Sequence, residues 1–190
     1  MKVNKNLPNY LCITRIMLIP FVLLFLLDNP VVNGIPVYIR MLVSGAVFGI
    51  AMLTDMADGK IARKYNLVTN FGKIMDPLAD KILVYSAFCL MVEDGIIPAW
   101  ILIIILAREF AIAGMRTVAA SEGIVIAAGM SGKIKTVLQM IAVPVLLLAV
   151  TLPEISIILT IGSIFLWASL VMTVYSGIEY IAKNKSVFSM

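Results

Sequence analysis

The 24 residues Ile155–Ile178 read ISIILTIGSIFLWASLVMTVYSGI and contain no charged side chain. As a helix rising about 1.5 Å per residue, this stretch covers about 36 Å, more than the roughly 30 Å hydrocarbon core of a bilayer. It can span a membrane unaided, and the composition extends that reading to the whole chain. Of 190 residues, 62% are hydrophobic and 14% charged, which excludes an ordinary soluble domain and indicates a polytopic membrane protein. No internal repeat, low-complexity tract or Gly/Ser linker divides the chain, so residues 1–190 read as a single membrane domain.

Six segments are expected, at about 10–27, 37–63, 72–92, 98–121, 131–152 and 153–182. Asn29-Pro30 and Asn33-Gly34 break the chain after the first. A short amphipathic surface helix is expected before Tyr10. Lys2 and Lys5 followed by an apolar run resemble a signal peptide, but only Asp28-Asn29-Pro30 follows, with no small-x-small cleavage site. The run is therefore read as a retained first transmembrane helix.

The third segment has just 11 uncharged residues, Ile82 to Val92, or about 17 Å of helix. It reaches across only if Asp76, Asp80 and Lys81 also lie at membrane depth. Asp55 and Asp58 sit near one end of the second segment, and Arg108 and Glu109 well inside the fourth. An ionised group at the bilayer centre costs about 2.5–3.5 kcal/mol on insertion scales. These groups must face one another or water. The expected architecture is an all-α integral membrane protein, with six transmembrane helices and a polar cavity open to the cytoplasmic side. Of 15 Lys and Arg residues, only Arg40 falls on the opposite side of such a layout. By the positive-inside rule the charged side is cytoplasmic, which predicts a multi-pass protein of the cell membrane with its active site facing the cytoplasm. The net charge of +4 is accordingly a topology signal and not a sign of nucleic-acid binding.

The chain has no histidine, which excludes His-ligated zinc and Ser-His-Asp chemistry. Cys12 and Cys89 lie far apart in apolar surroundings and form neither a disulfide framework nor a metal motif; both read as helix-packing residues. Trp100 and Trp167 read as interfacial or packing residues, and Lys183 and Lys185 as juxtamembrane anchors to anionic lipid. The four aspartates Asp55, Asp58, Asp76 and Asp80 carry the chemistry. Residues three or four apart share a helical face, so Asp55 with Asp58, and Asp76 with Asp80, form two pairs that a turn can bring together. Unmetallated, such carboxylates repel and raise one another's pKa. Around Mg²⁺ or Mn²⁺ they make an oxygen-ligand site of the kind that clamps phosphates. Gly59 and Gly72 leave room against the backbone, and Arg63 offers a planar fork suited to phosphate.

The stretch Asp55-x2-Asp58-Gly59-x2-Ala62-Arg63-x8-Gly72-x3-Asp76-x3-Asp80 resembles in full the signature of the CDP-alcohol phosphotransferase family. The resemblance implies transfer of a phosphoalcohol from a CDP-alcohol to an acceptor hydroxyl, with release of CMP. It implies a two-metal site on Asp55, Asp58 and Asp76, with Asp80 near the second ion and acting as general base. Asp58, Gly59, Ala62, Arg63 and Gly72 would line the CDP pocket, and a homodimer is expected.

Three further stretches resemble the bacterial phosphatidylglycerophosphate synthases of that family. They are Leu7-Pro8-Asn9-x-Leu11-x2-Thr14-Arg15, Arg108-Glu109-x6-Arg116 and Gly132-Lys133-x-Lys135-Thr136. This implies CDP-diacylglycerol as donor and sn-glycerol 3-phosphate as acceptor, with Arg108, Arg116, Lys133 and Lys135 gathered around the acceptor's phosphate. The donor's acyl tails would enter from the membrane lipids, sideways between helices. Inositol phosphate, phosphatidylglycerol and serine are alternative acceptors, although serine carries no phosphate for the cations. A divalent-cation transporter is a rival of another class; it would favour a midplane site with access from both sides.

Overall fold

The structure is a computed structural model that describes Met17 and residues 34–64, 70–124, 126, 127 and 129–185; of residues 53, 55–64 and 70–77 it describes the backbone alone. Five helices follow in order: α1 (Val37–Lys64), α2 (Asn70–Glu93), α3 (Ala99–Ser121), α4 (Met130–Thr151) and α5 (Ser156–Lys183). They correspond to the second through sixth expected segments. No strand occurs among the described residues. Of the first expected segment only Met17 is described, and it is helical; the expected surface helix lies outside the described residues. Two expectations change. The chain between α1 and α2 is shorter than the expected interval of about 64–71, because α1 continues to Lys64 and α2 already begins at Asn70. The last helix starts at Ser156 and not at Pro153, because the chain first turns through Leu152, whose carbonyl accepts from Ile155 N at 3.0 Å.

Glycine sets two of the turns. Gly95 has φ of 70° and Gly123 of 76°, the left-handed region that side chains resist. After α2, Gly95 N donates to Val92 O at 3.1 Å and Ile96 N to Met91 O at 2.8 Å. After α3, Gly123 N donates to Ala120 O at 3.1 Å and Ile124 N to Ala119 O at 2.9 Å. Both are Schellman endings that satisfy the last carbonyls of a helix.

The helix α4 is central, packed against α1, α2 and α5, while α3 packs against α2 and α5. The core between them includes Phe48, Phe88, Ile101, Ile105, Val143 and Leu147. The α4–α5 contact is close: a Cβ at Gly162 would lie 2.8 Å from Leu146 Cδ2. Trp100 and Trp167 pack on one another with centroids 5.7 Å apart. Cys89 is exposed on α2, contrary to the packing role expected of it.

The helix α5 is turned inside out relative to a soluble one. Ile157, Ile164, Val171 and Ile178, at steps of seven, are 61–64% exposed. Its buried face carries Gly162, Ser169, Thr173, Ser176 and Gly177 beside Leu166 and Leu170. The buried hydroxyls are satisfied within the helix: Ser169 donates to Leu166 O at 2.7 Å, Thr173 to Ser169 O at 2.7 Å and Ser176 to Thr173 O at 3.1 Å. Small residues inside and branched apolar ones outside are what lipid favours as a solvent. Both α4 and α5 are long and apolar enough to cross a bilayer, which points to membrane association.

Candidate active site

The helices alternate in direction. The first half of α2, the second half of α3, the start of α4 and the end of α5 thus meet at one end of the bundle. There they enclose a cavity of about 1080 Å³. Six cations line it: Lys81 from α2, Arg108 and Arg116 from α3, Lys133 and Lys135 from α4 and Lys183 from α5. Among the described residues two carboxylates, Glu109 and Glu179, share its walls. Among these described residues the balance is positive, which suits an anionic ligand.

Glu109 organises the deep part. It is 7% exposed. Its Oε1 accepts from Arg108 Nη1 at 2.7 Å and from Lys135 Nζ, and its Oε2 pairs with Lys81 Nζ at 3.1 Å. One carboxylate thus serves three cations. Lys135 is only 2% exposed, a burial that requires its partner. Arg108 is threaded between α4 and α5 at two positions without side chains. A Cβ at Gly177 would lie 3.2 Å from its Cγ, and one at Gly132 would lie 3.4 Å from its Nη2. Its Nε is buried without a hydrogen-bond partner among the described residues.

The outer part is more open. Arg116 donates from Nε to the Tyr180 hydroxyl at 3.1 Å, with its guanidinium carbon 5.5 Å from the ring centroid. Its partner among the described residues is neutral, which leaves the guanidinium charge uncompensated by them. Lys133 is exposed at the rim. Glu179 is engaged by Lys183 at 2.6 Å and by the Ser131 hydroxyl.

A second chamber of about 180 Å³ adjoins the first. Lys81, Glu109 and Thr136 line both. Asp80, Val84, Tyr85 and Gln139 complete the small one. Asp80, the expected base, therefore stands beside the cationic cavity. Asp55, Asp58, Gly59, Ala62 and Arg63 fall on the last turns of α1, and Gly72 and Asp76 on the first turns of α2. Their side chains lie outside the described residues. Among the described residues no group of three potential metal ligands gathers.

Sequence spacing missed several members of this site. Tyr180 is 64 residues from Arg116, so no local pattern joins them. The hint available was the 3–4 residue spacing of Ser176, Glu179, Tyr180 and Lys183 at the end of a greasy helix.

The sequence profile of the CDP-alcohol phosphatidyltransferases matches residues 5–175. The chain belongs to that family. It is 45% identical over 184 residues to a Bacillus subtilis protein named CDP-diacylglycerol–glycerol-3-phosphate 3-phosphatidyltransferase, covering 94% of this chain and 95% of the relative. A Rickettsia prowazekii protein of the same name is 38% identical over 189 residues, covering 99% of this chain and all of the relative, 100%. A Mycobacterium tuberculosis protein named as a probable phosphatidylglycerophosphate synthase is 33% identical over 178 residues, covering 94% of this chain and 81% of the relative. As a CDP-alcohol phosphatidyltransferase, the chain is an enzyme that transfers a substituted phosphate group.

Proposed function

We propose that this phosphatidyltransferase moves the phosphatidyl group of CDP-diacylglycerol to sn-glycerol 3-phosphate, yielding phosphatidylglycerol phosphate and CMP. The observation that carries the reading is the cation-rich cavity, built by four helices, that adjoins the chamber of Asp80. An acceptor that itself bears a phosphate is the ligand such a cavity favours. The family and the names borne by its relatives agree with this choice.

In this reading the terminal hydroxyl of the acceptor gives its proton to Asp80. Its oxygen attacks the phosphatidyl phosphorus, and the bond from that phosphorus to the CMP phosphate breaks. Arg108, Arg116, Lys133 and Lys135 hold the acceptor's phosphate away from the reacting bond. Asp58, Gly59, Ala62, Arg63 and Gly72 seat the CDP moiety. The donor set of Asp55, Asp58, Asp76 and Asp80 is all oxygen and anionic, which fits Mg²⁺ or Mn²⁺ and no softer ion. Bound there, two such ions would neutralise charge on the diphosphate during displacement.

The proposal includes a single domain, residues 1–190, with six spans in the cell membrane, its cavity open to the cytoplasm, working as a homodimer. The outward apolar stripe of α5 and the concentration of cations at one end support the spans and their direction. The test offers purified protein CDP-diacylglycerol with sn-glycerol 3-phosphate, inositol phosphate, serine or phosphatidylglycerol, and identifies the lipid formed. Phosphatidylglycerol phosphate with stoichiometric CMP is the expected outcome. Turnover with another acceptor alone would refute the assignment.

A further inference from the structure

The small chamber beside Asp80 contains a group that phosphate binding leaves unused. Gln139, on α4, is 2% exposed. Its Nε2 has no hydrogen-bond partner among the described residues. An orphaned buried donor costs on the order of 1–3 kcal/mol, so such a group calls for a partner: a water, an ion or a ligand. Gln139 and Asp80 both line the chamber, with Thr136 and Tyr85 between α4 and α2. The walls shared with the large cavity, at Lys81, Glu109 and Thr136, let one molecule occupy both spaces. The chamber's 180 Å³ exceeds the liquid volume of several waters, at about 30 Å³ each, and so admits a short polyol.

We infer that Gln139 is a specificity-determining residue, donating from its amide to the middle hydroxyl of the acceptor while the terminal hydroxyl faces Asp80. This inference rests on the acceptor reading above and deepens it. The phosphate lies among the cations of the large cavity and the polyol end reaches into the small one. Gln139 then fixes which of two neighbouring hydroxyls is presented to the base. A chamber built to pair with a hydroxyl rejects an analogue lacking it, because the amide is then left orphaned in the complex as well.

The experiment compares sn-glycerol 3-phosphate with 3-hydroxypropyl phosphate, which keeps the phosphate and the terminal hydroxyl and lacks the middle one. Wild type should prefer the former in kcat/KM by roughly 10- to 100-fold. In Gln139→Leu that preference should fall to within about 3-fold, through loss on glycerol 3-phosphate, with the analogue's rate kept. Gln139→Met serves the same purpose if the leucine variant does not extract as a monodisperse species. Equal losses on both substrates in a folded variant would show a structural role and overturn the inference. So would a wild type that handles both phosphates alike, which requires no variant. A wild type that uses neither phosphate overturns the acceptor reading itself, and the role of Gln139 with it.

Discussion

Lys135 and Glu109, 26 residues apart on α4 and α3, meet in a hydrogen-bonded ion pair from which water is almost excluded. The pair is the hinge of the site, because the same carboxylate also holds Arg108 and Lys81. Removing the carboxylate charge by Glu109→Gln leaves three cations around a neutral amide. Breaking a buried pair from one side costs about 3–5 kcal/mol. Lys135→Met leaves Glu109 with two partners and should cost less. Thermal unfolding in detergent should therefore rank Glu109→Gln below Lys135→Met, and the reverse order would contradict Glu109 as the common counter-ion.

Two glycines separate stability from acceptor binding. At Gly162 an added Cβ would lie 2.8 Å from Leu146 Cδ2 and 2.9 Å from its Cγ, so Gly162→Ala overpacks the α4–α5 contact. Such overpacking costs about 1–3 kcal/mol. At Gly177 the Cβ would press on the Arg108 stem at 3.2 Å. Gly162→Ala should lower the unfolding midpoint with little change in the KM for glycerol 3-phosphate. Gly177→Ala should raise that KM with a smaller loss of stability. Equal effects of both on KM would show that Arg108 does not depend on that gap.

The carboxylates make a separate prediction. Turnover should require Mg²⁺ or Mn²⁺ and disappear in excess EDTA. Asp80→Asn should abolish turnover and largely spare CDP-diacylglycerol binding, since an amide cannot take the acceptor's proton. Asp55→Asn should weaken metal binding and turnover together. Near-normal turnover by Asp80→Asn would remove the base assignment.

Topology can be read by labelling. In a background without Cys12 and Cys89, Asn66→Cys and Glu122→Cys should react from the cytoplasm and Asn33→Cys from outside. Reaction of Asn33→Cys and Asn66→Cys from the same side would break the six-span arrangement.

Helix order was legible in the sequence because apolar runs and breakers alternate at membrane length, and α1 to α5 each fall within a few residues of expectation. Four of the six cations of the cavity were also legible; Lys81 was not, and Lys183, expected as a lipid anchor, lines the cavity instead. Arg108 and Arg116 are eight residues apart, and Lys133 and Lys135 open the next helix, so local spacing places them at one end. The counter-charges were harder to read. That Glu109 binds Lys81 and Lys135 as well as its neighbour Arg108 depends on how three helices pack. The pairing of Arg116 with Tyr180 depends on α3 lying against α5. The inward face of α5 was hidden for another reason. Its serines and threonines bond their own helix, so sequence alone does not separate them from residues facing a pore.

Arg116 offers the most direct test of the central claim, that the cationic cavity seats the acceptor's phosphate beside Asp80. Arg108 is less suited, since its loss also strips Glu109 and empties the space between Gly132 and Gly177. Arg116 is held by the neutral Tyr180, so Arg116→Ala leaves the Glu109 cluster intact. The measurement is the KM of each substrate for Arg116→Ala against wild type, on protein shown to extract as a monodisperse species. Losing a charge-assisted contact of about 1.5–3 kcal/mol predicts a rise of roughly 10- to 150-fold in the KM for glycerol 3-phosphate. The KM for CDP-diacylglycerol should stay within about 3-fold of wild type, and Arg63→Ala should show the opposite pattern. A wild-type KM for glycerol 3-phosphate in Arg116→Ala would contradict the account and reopen the choice of acceptor.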